Sequence, residues 1–120
     1  MSRVTQVMHL GKQIVHIDFS GCEPGSFAPV IAEAEKLILK QPLHSVRALT
    51  VVDDVRFDMG TVKEMQQFVS ATTPHLKGNA IVGVEGMKKI VWGGIKPFYK
   101  VPADLFSDVA AAKDWLAKLV

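Results

Sequence analysis

The sequence predicts an α/β domain built on a mixed, mostly parallel β-sheet, with the element order ββαβαβα(β)α. Strand-like and helix-like runs alternate along the chain, which is typical of strand–helix–strand units with right-handed crossovers. The runs 46–52 and 79–84 are almost entirely apolar, as expected for strands buried on both faces of a parallel sheet. Two β-rich runs precede the first helix with a short connection between them, so they predict a hairpin that makes the sheet mixed.

The first half of the chain contains the hairpin, one helix and one buried strand. We expect strands near 4–10 and 13–19, joined by a tight turn at 11–12. A loop rich in Gly and Pro follows, and Ser26 is expected to cap the first helix with its hydroxyl group. Pro42 ends this helix. The apolar stripe of the helix consists of Phe27, Val30, Ile31, Ala34, Leu37 and Ile38.

The second half of the chain predicts three more helices and a short edge strand. Asp58 caps the second helix, and Pro74 lies just beyond its end. The segment 86–100 begins as a helix, 101–106 forms an edge strand, and Ser107 caps the last helix. About four helices are therefore expected. The apolar faces of the second and last helices are formed by Val62, Met65, Phe68, Val69 and Thr72, and by Val109, Ala112, Trp115, Leu116 and Leu119.

The composition predicts a single domain that covers residues 1–120. A chain of 120 residues can bury a hydrophobic core without disulfides or metals. The formal net charge is only +2, without the strong basic bias of a nucleic-acid-binding protein, so nucleic acid is not an expected partner. The mean hydropathy of +0.21 is high for a soluble chain. It predicts an apolar surface used for self-association, and we expect a homodimer.

The cysteine content and the N-terminal segment predict a soluble cytoplasmic protein. Cys22 is the only cysteine, so an intramolecular disulfide and a cysteine-based zinc site are excluded. The first residues lack an apolar core of signal-peptide length, and no apolar run approaches the length of a membrane span.

Four segments resemble, in the right order, the SpoIIAA-like group of the STAS superfamily, whose fold is also similar to that of CRAL-TRIO lipid-binding domains. They are 17–21 (IDFSG), 48–58 (ALTVVDDVRFD), 80–91 (AIVGVEGMKKIV) and 110–116 (AAAKDWL). The resemblance implies a SpoIIAA-like fold and a free-standing bacterial protein. Some members of the superfamily antagonise anti-sigma factors under the control of phosphorylation, and others regulate anion transporters.

The phosphate acceptor of the signalling members has no counterpart here. Their acceptor is a serine at the start of the helix after the second main strand. The matching positions hold Asp58, Met59 and Gly60, and a thioether cannot accept a phosphoryl group. Thr61 carries a hydroxyl nearby, but in the wrong register. The resemblance therefore supports the fold and argues against a phosphorylation switch.

Three acidic residues and three titratable strand residues are candidates for chemistry. Asp53, Asp54 and Asp58 could together bind a hard cation such as Mg²⁺ and serve a metal-dependent enzyme, although Asp58 is more simply a helix cap. His9, His16 and Asp18 would share one sheet face and could form a metal or acid–base cluster. The acids lack a fixed ligand spacing, and no catalytic constellation is recognisable. We therefore expect no enzymatic activity, no cofactor and no bound metal.

The segment 86–100 predicts a surface for an anion, a membrane or a partner. Lys88 and Lys89 follow a glycine-bearing turn that could present backbone N–H groups to a phosphate. The segment also combines four lysines with Trp92 and other apolar residues, as a helix on an anionic membrane does. The simpler interpretation is a sheet-covering helix whose lysines face water. Burial of Trp92 would favour that interpretation.

The sequence thus favours a non-enzymatic binding or regulatory module that acts through protein–protein contacts. The alternative is a carrier or sensor of a lipid or small apolar ligand, with membrane contact through the 86–100 helix. An apolar cavity beneath that helix would favour a ligand, and a filled core would favour protein contact. The candidate binding residues are Asp53, Asp54, Asp58, Met59, Lys88, Lys89 and Trp92.

Overall fold

A five-stranded sheet, whose strands lie side by side in the order of the chain, forms the centre of the structure. The computed structural model describes residues 2–120. The strands are Val4–His9 (β1), Lys12–Asp18 (β2), Val46–Val51 (β3), Leu76–Val82 (β4) and Ala103–Phe106 (β5). The helices are Phe27–Ile38 (α1), Met59–Thr72 (α2), Lys88–Ile95 (α3) and Val109–Ala117 (α4), with short 3₁₀ turns at Thr73–His75 and Lys96–Phe98.

The topology confirms the predicted α/β class and the predicted element order. Strand β1 is antiparallel to β2, and every later neighbour pair in the sheet is parallel. The short strand β5 lies at the edge beside β4, as the sequence indicated. The three parallel pairings require crossovers, which α1, α2 and α3 supply.

The hairpin turn lies one residue earlier than the sequence predicted. His9 pairs with Lys12, so Leu10 and Gly11 form the two-residue turn, with φ angles of 51° and 77°. Positive φ at both positions is the type I′ geometry that matches the twist of paired strands. The prediction of a turn at 11–12 was wrong because a leucine accepts the left-handed backbone that the hairpin demands.

Two of the three predicted helix caps also differ from expectation. Ser26 precedes α1 but makes no side-chain capping hydrogen bond, since its hydroxyl group donates to the carbonyl of Glu23 instead. Asp108, rather than Ser107, caps α4 by accepting a hydrogen bond from the Ala111 N–H at 2.8 Å. The cap that Asp58 provides for α2 is confirmed.

The sheet separates two apolar clusters. The larger cluster lies under α1, α2 and α3, and the smaller one lies under α4. Strand β3 contributes to both, because Val46 and Ala48 face the first cluster while Leu49 and Val51 face the second. This alternation explains why the run 46–52 is apolar at nearly every position.

Helix α4 is fixed to the sheet by a hydrogen-bonded arginine and by a close contact. Arg47 donates from Nε to the Leu116 carbonyl and from Nη2 to the Leu119 carbonyl, both at 2.9 Å. Leu116 lies in the last turn of α4, where carbonyls lack partners within the helix, and Leu119 lies two residues beyond the end of α4. Gly78 lets β4 approach Leu119, since a Cβ at Gly78 would meet the Leu119 Cδ1 atom at 2.4 Å.

The predicted cluster of His9, His16 and Asp18 does not assemble as a site. The three residues do occupy one face of the sheet. His9, however, is bonded through Nε2 to Asp114 Oδ1 of α4 at 2.6 Å. Across residues 2–120, no group of three His, Cys, Asp or Glu side chains converges to hold a metal ion.

His16 should make the stability of the fold depend on pH. Burial lowers the pKa of the His16 imidazole below its ordinary value of 6.5, Asp18 opposes this shift, and Lys113 reinforces it. As the pH falls, the His16 imidazole is therefore protonated in the unfolded chain at a higher pH than in the folded protein. The free energy of unfolding consequently falls as the pH drops below 6.5. Urea unfolding between pH 5 and pH 8 should show this slope, and His16→Gln should reduce it.

His44→Asn is the matched control for His16→Gln. His44 is exposed and has a φ of +56°, a backbone conformation that asparagine tolerates. The control should leave the pH slope unchanged. An equal slope in the wild-type protein and in His16→Gln would contradict the assignment.

Candidate functional site

The carboxyl ends of the parallel strands meet at one edge of the sheet. Asp18 pairs with Val51, Val51 with Val82, and Val82 with Phe106, so these four residues form a row across the sheet. The segments that follow β2, β3 and β4 begin along this row, and α2 and α3 start just beyond it. We call this region the carboxyl edge. In open α/β sheets, ligands bind at this position.

Backbone hydrogen bonds hold the segments of the carboxyl edge together. The N–H groups of Phe19 and Val52 donate to the carbonyls of Val51 and Val82, both at 2.8 Å. Gly83 has a φ of +101°, and a Cβ there would lie 3.0 Å from the Asp53 backbone nitrogen. A larger residue at position 83 would therefore adopt a strained backbone and crowd the segment after β3.

The three candidate acids have separate environments. Asp53 and Asp54 are both exposed, and the Asp53 carboxylate lies against Gly83. The Asp58 carboxylate accepts hydrogen bonds from the Thr61 N–H at 2.7 Å and from the Thr61 hydroxyl at 2.8 Å. These bonds hold the pKa of the Asp58 carboxyl below its ordinary value. The Asp58 carboxylate thus serves as the N-cap of α2.

The two candidate lysines have different roles. Lys88 extends its ammonium group across the carboxyl edge and donates to the Val52 carbonyl at 3.1 Å. It therefore ties the start of α3 to the end of β3. Lys89 is exposed and remains available to an anionic partner.

Trp92 is half-buried and packs as part of the helix layer. Its ring lies 5.8 Å from the Tyr99 ring, measured between centroids, and it contacts the larger apolar cluster. The segment 86–100 is a helix only from Lys88 to Ile95, after which a 3₁₀ turn leads to Tyr99. The position of Trp92 favours the simpler interpretation, a helix that covers the sheet.

A buried polar network beneath α3 was not anticipated. The Thr50 hydroxyl donates to Asn79 Oδ1 at 3.1 Å, and Asn79 Nδ2 donates to the Tyr99 hydroxyl at 2.8 Å. Burial raises the pKa of the Tyr99 phenol, so it stays neutral. The one signal in the sequence was an asparagine within the otherwise apolar run 79–84.

Two apolar spaces lie beside α3, one inside the fold and one outside. The interior cavity has a volume of about 30 Å³ and is bordered by Thr50 and Tyr99 of the polar network. The outer space is an open groove of about 330 Å³, which we call the α3 groove. The α3 groove is lined by Val55, Phe57, Met87, Lys88, Ile90 and Val91.

A comparison with solved structures identifies the fold. No protein-family model and no curated protein matches the chain. The crystal structure of an uncharacterized protein of the DUF3478 family with a SpoIIAA-like fold, from Shewanella loihica PV-4, superimposes with a TM-score of 0.76. The alignment covers 94% of this chain and 91% of that protein, at 13% sequence identity. The chain therefore has a SpoIIAA-like fold.

Met59 occupies the first position of α2, the position to which the resemblance assigns the acceptor serine of signalling members of the STAS superfamily. Met59 is 73% exposed, so a thioether occupies this surface position. The nearby Thr61 hydroxyl is not a substitute, because Thr61 is 1% exposed and bonded to Asp58. The structure therefore offers no accessible hydroxyl at this helix start among residues 58–61.

None of the helices described between residues 2 and 120 is both long enough and apolar enough to cross a lipid bilayer.

Gly83 should stabilise the carboxyl edge of this fold. Gly83→Ala should lower the free energy of unfolding by roughly 1–3 kcal/mol, because it adds backbone strain and a clash with Asp53. Gly25→Ala is the matched control, since Gly25 has a similar φ of +96°, but a Cβ there would meet nothing within 4 Å. Urea unfolding should show the larger loss for Gly83→Ala, and equal losses would contradict the clash.

Replacement of Asp58 should separate its capping role from its charge. Asp58→Ala should destabilise the domain, whereas Asp58→Asn should retain most of the stability because asparagine is also a good N-cap. The lowered pKa means that the charged cap stabilises the fold above pH 3.8 and that this contribution disappears as the pH falls further. Thermal melts at pH 7 measure the effect. Unchanged stability in Asp58→Ala would show that the carboxylate is not a cap.

Proposed function

We propose that this SpoIIAA-like domain is a non-enzymatic binding module that contacts a protein partner through the α3 groove. The observation that carries the proposal is the exposure of large apolar side chains around this groove. Met87 is 79% exposed and Ile90 is 71% exposed, and both line the groove. Concentrations of exposed apolar side chains in soluble proteins mark interaction sites.

The α3 groove has a fixed floor and adaptable walls. Phe57 and Val91, which line it, pack against the larger apolar cluster and are therefore held in place. Met87 stands at the rim and is free of such packing. Methionine side chains are flexible and polarisable, and they can follow the shape of different apolar partners. An apolar side chain from a partner could be buried here without any rearrangement of the fold.

The charges near the groove indicate the chemistry of the partner. Lys88 lines the groove, and the exposed Lys89 lies next to it. The chain has no acidic residue between Glu85 and Asp104. A helical or extended segment that combines apolar residues with acidic neighbours would satisfy both features.

The size of the interior cavity argues against a carrier of lipids or other apolar ligands. A volume of about 30 Å³ accommodates a water molecule or little more, whereas ligand pockets are generally about 300–1,000 Å³. The space beneath α3 is therefore nearly filled. The accessible apolar surface lies outside the core, which supports contact with a macromolecule.

Contact with an anionic membrane is the second candidate, because the exposed side of α3 and its 3₁₀ extension alternates apolar and basic residues. Met87, Ile90 and Phe98 are exposed. Lys89, Lys96 and Lys100 are exposed among them. Such a surface can lie on anionic headgroups without crossing the bilayer.

A bacterial cytoplasmic setting is part of the proposal. The single cysteine, Cys22, is buried and cannot form an intramolecular disulfide, which suits a reducing compartment.

Peptide selection provides the test of the groove. Peptides selected from a random displayed library against the wild-type domain should bind Ile90→Asp at least tenfold more weakly, because a carboxylate would have to be buried in the α3 groove. Leu43→Asp is the matched control. Leu43 is 63% exposed and lies near the opposite, amino ends of the strands. Affinities measured by fluorescence anisotropy should be unchanged in this control.

Equal affinities of Ile90→Asp and the wild-type domain would contradict the proposal. Co-sedimentation with phosphatidylserine-containing vesicles tests the second candidate. Two results together would favour membrane contact over protein contact. The domain would bind vesicles at low salt and lose this binding in the double variant Lys89→Glu, Lys96→Glu. The peptide selection would also yield no peptide whose binding depends on the α3 groove.

A further inference from the structure

The two edges of the sheet differ in how they are protected against pairing. Strand β5 has only four residues, one of them Asp104, and Pro102 precedes it. Strand β1 has six residues, VTQVMH, without Lys, Arg, Asp, Glu or Pro. Short edges, charges and prolines are the usual devices that prevent edge-to-edge association. The edge of β5 has them, and the edge of β1 lacks them.

The hairpin register determines which backbone groups of β1 point away from the sheet. His9 and Lys12 close the two-residue turn and form a hydrogen-bonded pair, so the odd-numbered residues of β1 bond to β2. The bond from the Asp18 N–H to the Arg3 carbonyl, at 2.9 Å, continues this pattern. The even-numbered residues Val4, Gln6 and Met8 therefore direct their N–H and C=O groups outward.

One of the three outward-facing residues already has partners. The Ser2 hydroxyl group accepts from the Val4 N–H at 3.1 Å and donates to the Val4 carbonyl at 2.7 Å. The backbone groups of Gln6 and Met8 remain for another strand. A second, antiparallel β1 would offer the same two residues, so Gln6 of each copy can pair with Met8 of the other.

We propose that the free edge of β1 is the homodimer interface, with two copies paired antiparallel about a twofold axis at Val7. This arrangement joins the two sheets into one continuous sheet. It uses only the free backbone groups of Gln6 and Met8 and leaves the Ser2–Val4 bonds intact. Val7 of each copy then lies directly opposite Val7 of the other, as a pair without backbone hydrogen bonds.

A second copy would cover the exposed apolar side chain of this edge. Met8 is 69% exposed and would be covered by the second strand. The twofold axis would place the two α1 helices side by side and antiparallel.

A cysteine at the axis tests the register. In the Val7→Cys variant the two Cα atoms would be about 4.5 Å apart, a separation that a disulfide can bridge. Mild oxidation should therefore convert most of the variant to a covalent dimer. Thr5→Cys is the matched control, because its two Cα atoms would lie on the order of 13 Å apart. Cys22 is the only native cysteine and is buried, so it should not interfere.

Proline at the edge tests the hydrogen bonding. Gln6→Pro removes an outward N–H while leaving the bonds between β1 and β2 in place, and Gln6→Ala is its control. Sedimentation velocity should show dimers for the wild-type protein and for Gln6→Ala, and monomers for Gln6→Pro. Far-ultraviolet circular dichroism should show that all three are folded.

The Val7→Cys crosslink keeps the proposal testable if Gln6→Pro does not fold. A monomeric wild-type protein at high concentration would overturn the proposal, and so would equal crosslinking of Val7→Cys and Thr5→Cys. Since Ile90 lies on α3, away from β1, Ile90→Asp should remain dimeric, and the outcome for the α3 groove does not affect this test.

Discussion

Parallel pairing of β3 between β2 and β4 is the constraint on which the rest of the structure depends. Both faces of β3 are buried, with Val46 and Ala48 on one side and Leu49 and Val51 on the other. Its register with both neighbours places Asp18, Val51 and Val82 in one row. The loops that follow these residues must therefore meet. The carboxyl edge is a consequence of this pairing rather than an independent feature.

The helix layer over the carboxyl edge is fixed by polar contacts as much as by apolar packing. Lys88 reaches the Val52 carbonyl, and Asn79 connects the sheet to Tyr99 beyond the end of α3. Buried amide and hydroxyl groups are costly unless they are hydrogen-bonded, so these contacts favour one position of the helix. The outer face of α3 takes no part in them. It keeps Met87 and Ile90 exposed and forms the wall of the α3 groove.

Residues of the same type therefore have different roles in this structure. Lys88 and Lys89 are adjacent and chemically identical, yet Lys88 donates to the Val52 carbonyl whereas Lys89 is exposed to solvent. Asp53 and Asp58 are both exposed carboxylates, but one lies against Gly83 and the other caps α2. Several candidate residues named from the sequence, among them Asp53 and Lys88, lie at the carboxyl edge. The sequence did not predict the groove, because a groove depends on the distance between a loop and a helix that are about thirty residues apart.

The sequence by itself determined the alternation of strands and helices, the buried faces and the Asp58 cap, because hydrophobic periodicity and local hydrogen bonding act over a few residues. The tertiary structure decided the Thr50–Asn79–Tyr99 network. It also decided that the space beneath α3 is nearly filled while the groove outside is open. These features depend on how distant segments approach one another, and only the packed sheet fixes those distances.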